Sequence, residues 1–218
     1  MAGAGPRGIV LVAHGGQSVS TAPVAATQLA VLRMIPVGRA ISRATGSSGI
    51  EVRRPLFSVR GWNGSQASPV GDLVRVLDEI RARSPAVPVV LVGHSMGARA
   101  ALRAAGHPAV IAVAGLAPWL PPGEPVDQLA GRLVLLAHGA DDRITSPDDT
   151  WAYAQRARGL CDLAAIKVSR GDHPMLRRAA LWHSIAADFT RVSFGLPGTE
   201  AAGAVIAAAR RATIVTLA

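Results

Sequence analysis

One stretch limits the folds open to this chain more than any other. Pro88 is followed by Val89-Val90-Leu91-Val92, then Gly93-His94-Ser95-Met96-Gly97, then Ala98-Arg99-Ala100-Ala101-Leu102. The aliphatic, β-branched run has the character of a strand buried on both faces. The alanine-rich segment after it has strong helix propensity. Only the short glycine-flanked segment separates the two, so strand must turn sharply into helix. Such a turn strains its central residue, and glycine on either side removes Cβ atoms that would clash. It lifts the Ser95 hydroxyl out of the fold and aims the first N–H groups of the helix at whatever Ser95 meets. The plainer alternative is a glycine-rich turn with a capping serine.

The rest of the chain repeats the alternation. Strands are predicted over Gly8–Ala13, Ile50–Phe57, Val110–Gly115, Arg132–Ala137 and Leu163–Val168, six in all with the one before Ser95. Helices are predicted over Val24–Ala44, with Leu29, Leu32, Ile35 and Ile41 as core candidates and Pro36 kinking or dividing it. Others follow over Pro69–Arg83, from the Ser95 turn to about Ala105, over Pro147–Arg158 with Ser146 as cap, and over Met175–Phe194. Alternating strand and helix means a mainly parallel sheet with helices on both faces. Ligands bind beyond the C-terminal strand ends of such sheets. His14, Ser95, Asp142 and His173 all fall just after strands. One domain is read over 1–197. The tail 198–218 is left open: 200–211 reads as an alanine-rich helix and 212–217 as a short strand.

The segment Gly93-His94-Ser95-Met96-Gly97 between strand and helix resembles the nucleophile turn of the α/β-hydrolase superfamily. That resemblance implies a single α/β domain and a Ser–Asp–His triad in that chain order. Leu133 to Ala137 followed by His138-Gly139-Ala140-Asp141-Asp142 resembles the superfamily's acid loop, which points to Asp142 as the carboxylate. Asp141 is its rival, since a one-residue shift exchanges them. Gly171-Asp172-His173 matches the Gly-x-His loop, which makes His173 the base. A serine needs such a base, and the base an orienting carboxylate. An oxyanion needs preorganised N–H donors. Met96 supplies one by position, and His14-Gly15-Gly16 resembles the segment that supplies the second, from Gly16; Gln17 is an alternative donor. The other histidines read as packing, capping or hydrogen-bonding residues. The 116–131 stretch is too short for the helical lid many relatives insert there. An open, shallow site without a lid is expected, edged by Trp62, Trp119 and Met175.

Composition narrows the function. Half of the 218 residues are hydrophobic and 17% are charged, which suits a globular core and not a disordered chain. The net charge is +9, nearly all from arginine, with Lys167 the only lysine. The arginines are spread out, in runs no longer than a pair and without interleaved aromatics. They read as surface charge rather than a nucleic-acid site, and leave an anionic substrate open. Cys161 is the only cysteine, so no internal disulfide forms. No secretory leader or membrane span is read, and a cytoplasmic location fits. No cluster has metal-ligand spacing, and no cofactor is expected. A small acyl molecule is the expected partner, with no nucleic acid or membrane, and the protein a monomer or homodimer. The resemblance thus implies a serine hydrolase cleaving a carboxylic ester or thioester. Acyl transfer or amide cleavage with the same triad is the alternative, as is a binding protein on the same scaffold.

Overall fold

A computed structural model describes residues 5–197, 206–207 and 214–217. Seven strands form one sheet, every neighbouring pair parallel: β1 (Gly8–Ala13), β2 (Ile50–Arg53), β3 (Val89–His94), β4 (Val110–Leu116), β5 (Leu133–Gly139), β6 (Asp162–Val168) and β7 (Val215–Leu217). Their spatial order is β2-β1-β3-β4-β5-β6-β7. The six-stranded expectation is short by one. The seventh strand comes from the tail, where Val215–Leu217 pairs with Ile166–Val168. The helix expected over 200–211 lies outside the described residues except at Ile206 and Ala207, which are helical.

Both faces of the sheet are covered, and side-chain alternation along the strands sorts the core into two layers. Ile9, Leu11 and Leu91 point to the layer made with α3 (Ser68–Arg83), α4 (Met96–Ala104) and α5 (Pro147–Ala157). Val10, Val12 and Val92 point to the layer made with α2 (Met34–Thr45) and α6 (Ala179–Ser193). The central strands are buried at nearly every position, which is why they read as continuous apolar runs. β2 lies on the edge and is only half-buried, so it ends at Arg53 and not at Phe57.

The predicted helix over 24–44 is two helices, α1 (Leu29–Leu32) and α2. The break falls at Arg33, and Pro36 sits in the first turn of α2, where proline is tolerated. This break rotates the apolar face. Val31, Met34, Val37 and Ile41 are buried, whereas Leu29 and Leu32 are 76% and 40% exposed. The last long helix begins at Ala179, four residues later than expected, because the chain from 169 to 178 is a loop. Among the described residues no helix is long and apolar enough to cross a membrane.

Candidate active site

The order β1, β3, β4 places the loops after β1 and β3 side by side, at the point where successive connections diverge. Gly97 makes the close approach possible. A Cβ there would collide with the carbonyl oxygen of His14, and one on Gly93 would collide with that of Gly97. With glycine at both positions α4 lies directly against β1 and β3. Ser95 sits at the junction with φ 55° and ψ −120°, a conformation that side chains other than glycine rarely adopt. Its carbonyl accepts from the amides of Ala98 and Arg99, and from that of Trp119 at 3.3 Å.

Three residues far apart in sequence meet here. The Ser95 hydroxyl lies 3.0 Å from His173 Nε2, and His173 Nδ1 lies 2.8 Å from Asp142 Oδ2. Each of the three is at most 9% exposed. Asp141 takes no part: its side chain is nearly half exposed and stands 3.7 Å from Arg177 Nη1. Of the two aspartates, Asp142 alone touches an imidazole.

The Asp142 carboxylate is more heavily held than the sequence suggested. Oδ1 accepts from the amides of Ile144 (2.8 Å) and Thr145 (2.9 Å). Oδ2 accepts from the Thr145 hydroxyl (3.0 Å) and also faces His138 Nε2 at 3.1 Å. His138 Nδ1 in turn is 2.7 Å from the Thr150 hydroxyl. Burial alone would raise the Asp142 carboxyl. The hydrogen bonds from His138, His173 and the two amides reverse that and hold it far below the usual carboxylate range. Thr145 was not anticipated. The signal was there in its spacing, three residues beyond an aspartate in a loop, where a hydroxyl reaches back to a carboxylate.

Behind Ser95, His94 Nε2 donates to the His173 carbonyl at 2.8 Å. The two rings stand 4.9 Å apart. His94 is fully buried, which, with the neighbouring imidazole, lowers its pKa to about 3. It is therefore neutral and braces His173 from below. His14 does similar work on the other side. Its Nε2 accepts from the Phe57 amide at 3.2 Å, tying the loop after β2 to the site. Burial pushes the Cys161 thiol up to about 11, which keeps it protonated and unreactive.

The amides of Gly16 and Met96 donate to nothing among the described residues. Gly16 packs so closely on Met96 that a Cβ would strike its side chain and the Arg60 carbonyl. The Gln17 amide is taken, donating to that same Arg60 carbonyl at 2.8 Å. Of the two, only the Gly16 amide is without an acceptor among the described residues.

The expected aromatic rim is only partly present. Trp62 is 3% exposed because the Arg99 guanidinium lies 3.8 Å above its ring. Trp119 remains half-buried, edge-on to Trp62 at 6.1 Å between ring centres and 4.5 Å from the same guanidinium. Arg99 and Arg103 both bind Glu124, which is buried. The whole cluster fastens the 117–126 segment, where a lid would be inserted, flat against α4. Met175 is also buried, and floors an apolar trough of about 350 Å³ with Leu29, Leu32, Pro174 and Leu176. On the opposite side of Pro174 a charged cleft of about 300 Å³ opens beside His173. Among the described residues no group of three or more His, Cys, Asp or Glu is placed to hold a metal ion.

A doubly wound parallel sheet with a serine at such a turn is the fold of an α/β-hydrolase, and no lid covers it among the described residues. The chain belongs to the family described as serine aminopeptidase S33, whose model matches residues 4–134. No curated protein matches its sequence. Solved structures agree on the fold. A lidless α/β serine hydrolase from Xanthomonas campestris is 22% identical, with TM-score 0.62 over 90% of this chain and 85% of its own. Est1E from Butyrivibrio proteoclasticus, solved with ferulic acid bound, is 14% identical with TM-score 0.64, over 87% and 91%. A monoacylglycerol lipase from Paleococcus ferrophilus is 14% identical with TM-score 0.62, over 87% and 96%.

Proposed function

We propose that this hydrolase cleaves a carboxylic ester or thioester of a small acyl substrate through an acyl-enzyme. The observation that carries the reading is the unbroken line Ser95–His173–Asp142, beginning at a strained serine. His173 Nε2 takes the Ser95 proton as Oγ attacks the carbonyl carbon, and Asp142 holds Nδ1–H and steadies the imidazolium. The N–H groups of Gly16 and Met96 receive the oxyanion. His173 then gives its proton to the departing alcohol or thiol. Water repeats the sequence in reverse roles and frees the acid and Ser95. The apolar trough beyond Pro174 takes the hydrocarbon part of the substrate.

The test is labelling by a fluorophosphonate, wild type against Ser95→Ala, followed by ester, thioester and amide panels of increasing chain length. Labelling only in wild type, with esters or thioesters turned over, supports the reading. Labelling that survives Ser95→Ala moves the nucleophile elsewhere, and folded wild type that never labels sinks the enzyme reading. Preference for amides, or for an acceptor other than water, would instead assign the same residues to peptide cleavage or acyl transfer.

A further inference from the structure

The ground around His173 carries more positive charge than its ion pairs account for. The cleft beside the imidazole is lined by Asp141, Arg143, Asp172 and Arg177 among others. A second recess continues it past Asp141 and Arg177 to Arg170 and Arg178. Four guanidinium groups therefore face two carboxylates. Both carboxylates are partly engaged by Arg177: Asp141 with its guanidinium at 3.7 Å, and Asp172 Oδ1 with its backbone amide at 3.0 Å. Arg143, Arg170 and Arg178 have no ion-pair partner among the described residues.

The backbone adds a second observation. Arg170, Met175 and Arg178 all have left-handed φ angles, 56°, 57° and 63°, within the loop that carries His173. Side chains beyond glycine strain such positions, and strain of this kind gathers where a loop is built around a ligand. The opposite side of Pro174 is different in kind, lined mainly by apolar groups. Pro174 thus separates a recess of hydrocarbon from a cleft that holds unpaired guanidinium beside His173.

We propose that the cleft of Arg143 and Arg177, extended by Arg170 and Arg178, is an anion subsite. It seats a carboxylate or phosphate borne by the ester itself, on the side of the scissile carbonyl away from the apolar trough. This rests on the reading of Ser95 as nucleophile and narrows its substrate class to anionic esters or thioesters. Guanidinium is suited to the task because its planar fork pairs with two oxygens of a carboxylate or phosphate at once.

Two matched ester pairs test the subsite: p-nitrophenyl monoglutarate against p-nitrophenyl pentanoate, and 4-acetoxybenzoate against phenyl acetate. The first pair places the charge on the acyl side and the second on the alcohol side. kcat/KM is measured at low and high salt for wild type, R143Q/R177Q and R143K/R177K. In at least one pair wild type favours the anionic member by about tenfold at low salt, mostly through KM. That ratio falls severalfold in R143Q/R177Q and at high salt, and is partly kept in R143K/R177K. Preference for the neutral member in both pairs, or an unchanged ratio in R143Q/R177Q, overturns the subsite. Turnover that survives Ser95→Ala, or no turnover at all, counts against the nucleophile and not the cleft. The cleft is then judged by calorimetric titration with glutarate and with inorganic phosphate. Binding lost in R143Q/R177Q upholds it, and no binding to wild type removes it.

Discussion

At the scale of single residues, the site is defined by how the protein uses burial. Asp142 is buried yet held ionised by several donors, whereas His94 is buried and held neutral. The first arrangement separates two neighbouring aspartates that differ little in chemistry. Asp142→Asn should lower kcat/KM by about 10⁴-fold, since the amide cannot fix the imidazole tautomer. Asp141→Asn, on the surface beside Arg177, should change it by no more than about threefold, against the background of small surface effects. Steady-state rates on a neutral ester, phenyl acetate, decide it, and equal losses would leave Asp142 unsupported.

The second arrangement has a consequence for stability. A folded-state pKa of about 3 lies below the ordinary histidine value of 6.5, so between these values the unfolded chain binds the proton first. The stability tied to neutral His94 is therefore complete above pH 6.5 and lost progressively as pH falls toward 3. By pH 4.5 the loss should be roughly 3 kcal/mol. Urea unfolding at pH 7.5 and 4.5 should show a smaller difference for His94→Gln than for wild type. Asp142, depressed from a carboxylate value, acts in a lower window and does not mask the comparison.

At the scale of elements, glycine determines where helices meet strands. α4 touches β1 only because Gly97 has no side chain to set against the His14 carbonyl. Gly97→Ala should therefore destabilise by at least about 2 kcal/mol in equilibrium unfolding, even though alanine favours helix. An unchanged midpoint would mean that α4 can shift without cost. The same logic explains α1. A break at Arg33 turns Leu29 and Leu32 outward, so that two leucines spaced like core residues line a trough instead.

At the scale of the whole molecule, the tail matters. Ile206 is 3% exposed in the layer with α6, and β7 covers the edge of β6, with the Ser169 amide donating to Leu217. Truncation after Pro197 should lower stability by roughly 2–4 kcal/mol, from one buried isoleucine and a few strand hydrogen bonds. Urea unfolding measures this loss. Ser95 should still label with fluorophosphonate, because β7 lies four strands away from β3.

The amino-acid sequence by itself determined the alternation of buried strand and helix, and with it which loops gather at one end of the sheet. It also determined the Ser95 turn, because glycine on both sides of a serine between an aliphatic run and an alanine-rich run leaves little choice. These are local properties, set by propensity and by sterics over a few residues. What the tertiary structure alone decided depends on atoms distant along the chain. His138 shares the Asp142 carboxylate, Arg99 stacks over Trp62, and Val215–Leu217 pairs with β6 and not with another edge. None of these is encoded in spacing, since each depends on how two loops or a loop and a helix pack once the sheet has brought them together.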